Sequence, residues 1–163
     1  MIPVDGSKTA LHALDHVVRQ RALHPEELHI TLLNVQPRLP RHITRFATAS
    51  AVRQLQEERA TMAMKEAVDK LAASNISYDV RVHKGDAAEQ IAQHAAAANV
   101  ERIVMGATKK NALLRFFQGS IVSKVMERTD VPVEVIASGK ASRMERFGIP
   151  VGIGLTFLWL AVE

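Results

Sequence analysis

Cysteine is absent from this 163-residue chain. That excludes a disulfide scaffold, thiol catalysis and Cys-ligated zinc, and it suits a reducing compartment, the cytoplasm. Aromatic rings are scarce, with five Phe, one Tyr and one Trp. A protein that stacks the bases of a single strand on a platform usually needs more. Charge of one sign is in no large excess. Lys and Arg total 21, Asp and Glu total 17, and the net charge is +4 with His neutral. So mild a balance predicts no nucleic-acid partner. A basic-then-apolar leader is not evident, since Asp5 and Lys8 come almost at once. What the chain has in quantity is apolar residue, 47% of it. That is enough to bury a core, and the length suits one domain.

The apolar pattern switches between two periods. Ile2-Pro3-Val4 is a short apolar run that stops at Asp5-Gly6-Ser7. Leu11, Leu14, Val17, Val18 and Ala22 recur at helical spacing and predict a helix over 8–23, broken by Pro25. Leu28 to Val35 reads as a largely buried strand. Residues 36–48 hold two prolines with Arg38, Arg41, His42 and Arg45, and read as an exposed, solvated connector. A long helix follows from about Ser50 to Ala73, with Val52, Leu55, Ala63, Ala67 and Leu71 on the expected buried stripe. Tyr78, Val80 and Val82 alternate with polar residues and predict a half-exposed strand over 77–83. Asp86 with Glu89 three residues on resembles a capping box and opens a helix containing Ile91 and Ala95–Ala98. Arg102 to Met105 reads as a buried strand ending at Gly106. Residues 107–118 form a basic loop, and Gly119-Ser120 opens a helix with Ile121, Val125 and Met126 inward. Asp130-Val131-Pro132 leads into a last strand, Val133 to Ile136.

This order, βαβαβαβαβ, predicts an α/β fold: a parallel sheet with helices on both faces and right-handed crossovers. The organisation expected is a domain over 1–138, a basic linker over 139–146 and an apolar tail over 147–163. Only three or four residues precede Asp5, whereas a buried central strand usually has five or six. A first strand truncated at its amino end is therefore one expectation.

In an open parallel sheet, ligands bind beyond the carboxyl ends of the strands. Two strand ends carry suitable residues. One is Asp5-Gly6-Ser7. The other is Gly106, whose loop closes at Gly119-Ser120 on a helix start. Glycine lets backbone N–H groups approach an anion, and a helix N-terminus adds unpaired donors. Asp5 suits a ribose diol or a metal ion. The plainer reading of Asp5-Gly6, a βα turn with a helix cap, stands beside this one.

Taken together, these residues resemble the universal stress proteins, the UspA family. The match runs through Ile2-Pro3-Val4-Asp5-Gly6-Ser7, Leu33-Asn34-Val35, Gly85-Asp86-Ala87-Ala88-Glu89-Gln90-Ile91, Ile103-Val104-Met105-Gly106, Gly119-Ser120 and Val131-Pro132-Val133-Glu134-Val135. The resemblance implies a Rossmann-like three-layer sandwich, of the adenine nucleotide alpha hydrolase-like kind, with a five-stranded parallel sheet in the order 3-2-1-4-5. It also implies a homodimer paired through strand 131–136. Nucleotide-binding members carry Gly-x2-Gly-x9-Gly-[Ser/Thr] after the fourth strand. Here Gly106, Gly119 and Ser120 match, while Lys109 replaces the middle glycine. A lysine resists positive φ, yet its ammonium can neutralise a phosphate, helped by Lys110. By resemblance, Pro3, Val4, Asp5, Val35 and Met105 line an adenine and ribose region, and Gly106, Thr108, Gly119, Ser120 and Ile121 face the phosphates. The cofactor implied is ATP with Mg. No metal site of the chain's own is expected, and no nucleophile arrangement, Walker loop or dinucleotide fingerprint indicates catalysis. A nucleotide-free interaction protein and a slow ATPase of the same fold are the alternatives.

Other features have plainer readings. His12 and His16 stand four apart and read as a solvated helix face rather than a metal pair. Met62, Met64, Met105 and Met126 read as packing or lining residues. Glu134 lies in an apolar edge strand, pointing outward or tuning its pairing. After Lys140, Arg143, Glu145 and Arg146, residues 147–162 carry no charge. That run is short of the roughly 20 residues a bilayer span needs. Three readings stand: contact with a membrane surface, which would place the protein at the inner face of the membrane, packing on the dimer or on a protein partner, and a marginal membrane anchor.

Overall fold

The computed structural model describes residues 1–23, 28–40, 45, 47–108 and 120–138. The elements are β1 (Ile2–Pro3), α1 (Lys8–Leu23), β2 (His29–Gln36), α2 (Ala49–Ala73), β3 (Ser77–Lys84), α3 (Ala87–Ala97), β4 (Ile103–Thr108), α4 (Ile121–Met126) and β5 (Val133–Ser138). The alternation expected from the sequence is therefore present. β4 runs on to Thr108, pairing Ala107 and Thr108 with β5, which corrects the strand end expected at Gly106 and the loop expected from 107. The rest of that loop, with Lys109 and Gly119, and the linker and tail fall outside the described residues.

Every ladder is parallel. β2 pairs β3 from His29↔Ser77 to Gln36↔Lys84, and β4 pairs β5 from Ile103↔Val133 to Thr108↔Ser138. β1 pairs β2 only at Ile2↔Leu32 and Pro3↔Leu33. The strands thus run 3-2-1 in one piece and 4-5 in another. Met1 is the join: its amine donates to the Arg102 carbonyl at 2.8 Å, and its carbonyl accepts from Val104 N–H at 2.9 Å.

Strand alternation divides the core into two layers. Ile2, Val4, Ile30, Leu32 and Val104 pack with Leu14 and Val17 of α1 and with Ala60, Met64, Ala67 and Leu71 of α2. Leu33, Ile103 and Met105 pack on the other face with Ala88, Ile91 and Ala95 of α3 and Val122 and Val125 of α4. The buried line of α2 is Gln56, Ala60, Met64, Ala67 and Leu71. This corrects the expected stripe, which mixed two lines about 100° apart on the helix. Leu55 is exposed, and Met62 is 78% exposed. In α4 the buried residues are Val122, Ser123 and Val125, so Ile121 and Met126, expected inward, face outward.

Helix ends follow local chemistry. Thr48 Oγ1 accepts from Ala51 N–H at 3.2 Å, Asp86 Oδ1 from Glu89 N–H at 3.0 Å, and Ser120 Oγ from Ser123 N–H at 3.2 Å. Beyond α3, Asn99 takes a left-handed φ of 49°, and Val100 N–H reaches back to the Ala95 carbonyl at 3.0 Å. That is a Schellman stop, with asparagine in the place glycine usually fills.

α3 packs on β3 through a histidine pair. The His83 and His94 rings meet edge to face, 4.8 Å apart. Burial, then the neighbouring His83 and Arg81, hold the His94 pKa below its usual 6.5. The unfolded chain then binds more protons than the folded one below about pH 6.5, so this pair costs stability as pH falls through that value. His94→Gln is expected to shrink the drop in urea midpoint between about pH 7.5 and about pH 5.5. An unchanged pH profile in the variant would remove His94 as a contributor.

Candidate functional site

β1 ends where its chain must turn back into α1, and the turn is built from Asp5, Gly6 and Ser7. Asp5 Oδ1 accepts from Ser7 N–H at 2.9 Å, which is an Asx turn. Gly6 takes φ +82°, a conformation costly for any residue with a Cβ. Ser7 Oγ then accepts from Ala10 N–H at 3.2 Å and shares a hydrogen with Thr9 Oγ1 at 2.9 Å. The plain reading of this segment, a βα turn with a helix cap, is therefore realised. It leaves Asp5 exposed at the mouth of a cleft.

That cleft has a volume of about 340 Å³ and lies at the carboxyl ends of β1 and β4. Pro3 and Asp5 form one wall, with Ser7, Thr9 and Ala10 from the start of α1. Met105, Gly106, Ala107 and Thr108 of β4 form the floor. Ser120, Ile121 and Val122 of α4 and Val135 of β5 close the other side. Of the residues expected at a site, Pro3, Asp5, Met105, Gly106, Thr108, Ser120 and Ile121 come together here. Val4 and Val35 are not on the lining. Val4 is 2% exposed and points into the layer under α1, while Val35 packs on the α3 face. Lys109 and Gly119 are outside the described residues. Ser7, at the strand end expected to meet a ligand, is on the lining, and Thr9 and Ala10 join it without having been expected there. Their signal was the helix start just after Asp5, which aims the first turn of α1 at whatever β1 faces.

Gly106 has a use that sequence does not show. A Cβ on it would collide with the Thr9 carbonyl and stand 2.9 Å from Ala10 N. The missing side chain is what lets the first turn of α1 rest on the end of β4.

The cleft's chemistry is specific. Asp5 is its one ionisable side chain among the described lining residues. Hydroxyls of Ser7, Thr9, Thr108 and Ser120 offer hydrogen bonds, and Pro3, Met105 and Val135 offer apolar surface. A carboxylate for a diol, apolar contacts for a flat ring and hydroxyls near helix starts suit a nucleotide. The volume is within the usual range for small-molecule sites.

Other polar groupings do different work. A second cleft of about 330 Å³ lies at the amino ends of the strands, with Met1, His29, Asn99 and Arg102 on its lining. That is the opposite end from where sheets of this class bind ligands. Burial, then Arg102, presses the Met1 amine there to a pKa of about 6. Ser77 Oγ lies 2.9 Å from His29 Nδ1, and Asp79 Oδ2 lies 3.1 Å from His29 Nε2. His29 and Asp79 are half in water, and the three residues tie the β2–β3 register, His29 doing so at the edge of this second cleft.

His12 and His16 are not a solvated face. His16 Nε2 lies 3.1 Å from Glu134 Oε1, and Arg102 stands 3.1 Å from Glu134 Oε2, near enough to pair in charge without the alignment of a hydrogen bond. Glu134 therefore points toward α1 rather than outward. His12 Nδ1 is buried without a hydrogen-bond partner among the described residues. Among those residues no group of three His, Cys, Asp or Glu could hold a metal ion.

The comparisons with known proteins agree with this architecture. The sequence model of the universal stress protein family matches residues 1–137. The chain belongs to that family. Universal stress protein MJ0531 of Methanocaldococcus jannaschii is 29% identical over 145 residues, covering 86% of this chain and 82% of the relative. The solved structure of hypothetical protein MJ0577 superposes with a TM-score of 0.68 at 25% identity, covering 86% of this chain and 95% of that one. A universal stress protein family protein from Arabidopsis thaliana, solved with AMP bound, superposes with a TM-score of 0.64 at 16% identity, covering 85% of this chain and 90% of that one. At that identity the likeness speaks for the fold. The universal stress protein fold is Rossmann-like, and the three-layer α/β arrangement of this chain is the same.

Proposed function

We propose that this universal stress protein is a stress-response module that binds an adenine nucleotide, ATP with Mg, in the cleft between the ends of β1 and β4. The observation that carries the reading is the meeting of Asp5 with Met105, Gly106, Thr108 and Ser120 around one cleft. The AMP bound to the Arabidopsis structure supports it. Asp5 would accept hydrogen bonds from the ribose hydroxyls. Pro3 and Met105 would contact the base, and the hydroxyls of Thr108 and Ser120 would meet the phosphates. Lys109, where binding members carry glycine, would serve as a counter-charge rather than a backbone cradle. The same replacement favours the second reading, a nucleotide-free interaction protein. The module would act by binding rather than catalysis, as a homodimer paired through strand 131–136. Among the described residues no helix is long and apolar enough to cross a membrane. The uncharged run 147–162, outside the described residues, would supply a contact with a membrane surface at its cytoplasmic face.

Isothermal titration of the full chain with Mg-ATP tests the reading. Micromolar affinity is expected, weakened at least about tenfold by Asp5→Ala, the loss of a charge-assisted hydrogen bond. No heat up to about millimolar ATP would leave the interaction-protein reading in its place.

A further inference from the structure

Four polar side chains are buried among the described residues: Asn34, Gln36, Gln56 and Ser123. All of them support loops at the carboxyl end of the sheet, where the cleft lies. Gln56 Nε2 donates to the Pro37 carbonyl at 3.3 Å, and Ser123 Oγ donates to the Ser120 carbonyl at 2.9 Å. Burying a carboxamide costs its hydration and is offset only when its hydrogen bonds are made. An apolar side chain of like shape would pack as well. What the carboxamide adds is direction.

The pair on β2 is the most telling. Asn34, 2% exposed, donates through Nδ2 to the Val4 carbonyl at 2.7 Å. Gln36 donates through Nε2 to Asn34 Oδ1 at 2.7 Å, which fixes which end of the Asn34 amide faces Val4. The β1–β2 ladder has already ended at Pro3↔Leu33, with Val4 N–H on the Leu33 carbonyl at 2.8 Å. So the last carbonyl before Asp5 is held by a side chain. On the opposite flank, Gly6 rests on α2, where a Cβ would stand 3.2 Å from Ala63 Cα. The turn carrying Asp5 is held between a two-residue relay and a helix backbone. The Gln36 carbonyl also accepts from Gly85 N–H at 3.0 Å, which ties the relay to the chain entering α3.

We propose that Asn34 and Gln36 are positioning residues for the nucleotide site: by holding the Val4 carbonyl they fix the direction in which Asp5 leaves β1, and so set the cleft's affinity for a ribose. This rests on the nucleotide-binding reading above. Neither side chain touches the cleft, and both act through the backbone ahead of Asp5.

The test compares the full chain with Asn34→Leu, Asn34→His and Gln36→Leu. Leucine removes the donor at nearly constant volume, while histidine keeps an N–H at the same branch point. Three quantities are read: ATP affinity, the urea midpoint, and hydrogen exchange of the Ser7 amide, which Asp5 holds. In Asn34→Leu, ATP affinity is expected to fall at least about tenfold and Ser7 exchange to quicken by a similar factor, with the Leu32 amide unchanged. Asn34→His restores both to within about threefold, and Gln36→Leu shifts both in the same direction by less. Should Asn34→Leu not fold, Gln36→Leu, which leaves the Asn34 donor in place, carries the comparison. Unchanged affinity and Ser7 exchange in Asn34→Leu would overturn the proposal. So would an affinity that falls only in step with the urea midpoint and is not restored by histidine. A parent chain that binds no ATP defeats the nucleotide reading and, with it, the ribose part of this one. Ser7 exchange then decides separately whether the relay positions the turn.

Discussion

Gly106→Ala is expected to cost the fold about 3 kcal/mol or more, a fall of roughly 10 °C in melting temperature for a chain of this size. The new methyl would have to occupy the space of the Thr9 carbonyl, with Ala10 N only 2.9 Å away. These are backbone atoms of the first turn of α1. They cannot move aside by a rotamer change, so the helix itself must shift on β4 and β5. That shift would also open the cleft, because Ser7, Thr9 and Ala10 line it. Stability and ligand affinity should therefore fall together. Gly6→Ala gives a useful contrast. Its Cβ would meet Ala63 Cα at 3.2 Å and its φ is +82°, so strain of about 1 kcal/mol is expected, confined to the turn. Thermal unfolding of both variants measures the difference. A Gly106→Ala protein as stable as its parent would mean that α1 lifts freely from the sheet, and that the glycine serves only a ligand.

Leu14→Ala is expected to destabilise by about 2–5 kcal/mol. Leu14 is fully buried in the layer between α1 and the sheet, among Ile2, Val4, Leu32 and Val104. Close-packed surroundings of this kind collapse only partly around a lost isobutyl group. The sheet here has an unusual dependence on α1. β1 contributes a two-residue ladder to β2 and meets β4 through Met1, so helix packing has to hold the two sheet pieces together. Denaturant unfolding gives the magnitude. A loss well below about 1 kcal/mol would show that α1 is not the clamp described. A transition that splits in two would instead show that the β4–β5 piece detaches first.

Most of the element order was legible because hydrophobic period separates strand from helix without reference to anything distant. The helix over Lys8–Leu23 and the Asp86 cap illustrate this, since each depends on residues within a turn or two. What failed were choices between neighbouring faces. In α2 a glutamine, Gln56, takes a buried position ahead of Leu55 because the Pro37 carbonyl needs its amide. In α4 a serine, Ser123, is buried while Ile121 is exposed at the cleft, because the helix start is turned toward Ser120. His16 escaped the solvated face because Glu134, 118 residues away, lies under it. Composition ranks residues by hydrophobicity, and none of these three positions was decided by hydrophobicity.

By itself, then, the sequence determined the α/β alternation, the family, and the strand ends at which a ligand would sit. Each of these follows from local periodicity, from caps, or from residue types at short spacing. Tertiary structure alone decided the use of Gly106, which depends on a helix that arrives almost a hundred residues earlier in the chain. It alone brought Asp5 to Ser120, and it alone revealed the Asn34–Gln36 relay behind the Val4 carbonyl. The physical reason is the same in each case. A side chain's neighbours across a parallel sheet are set by crossover connections, and their spacing in the chain carries no trace of the contact.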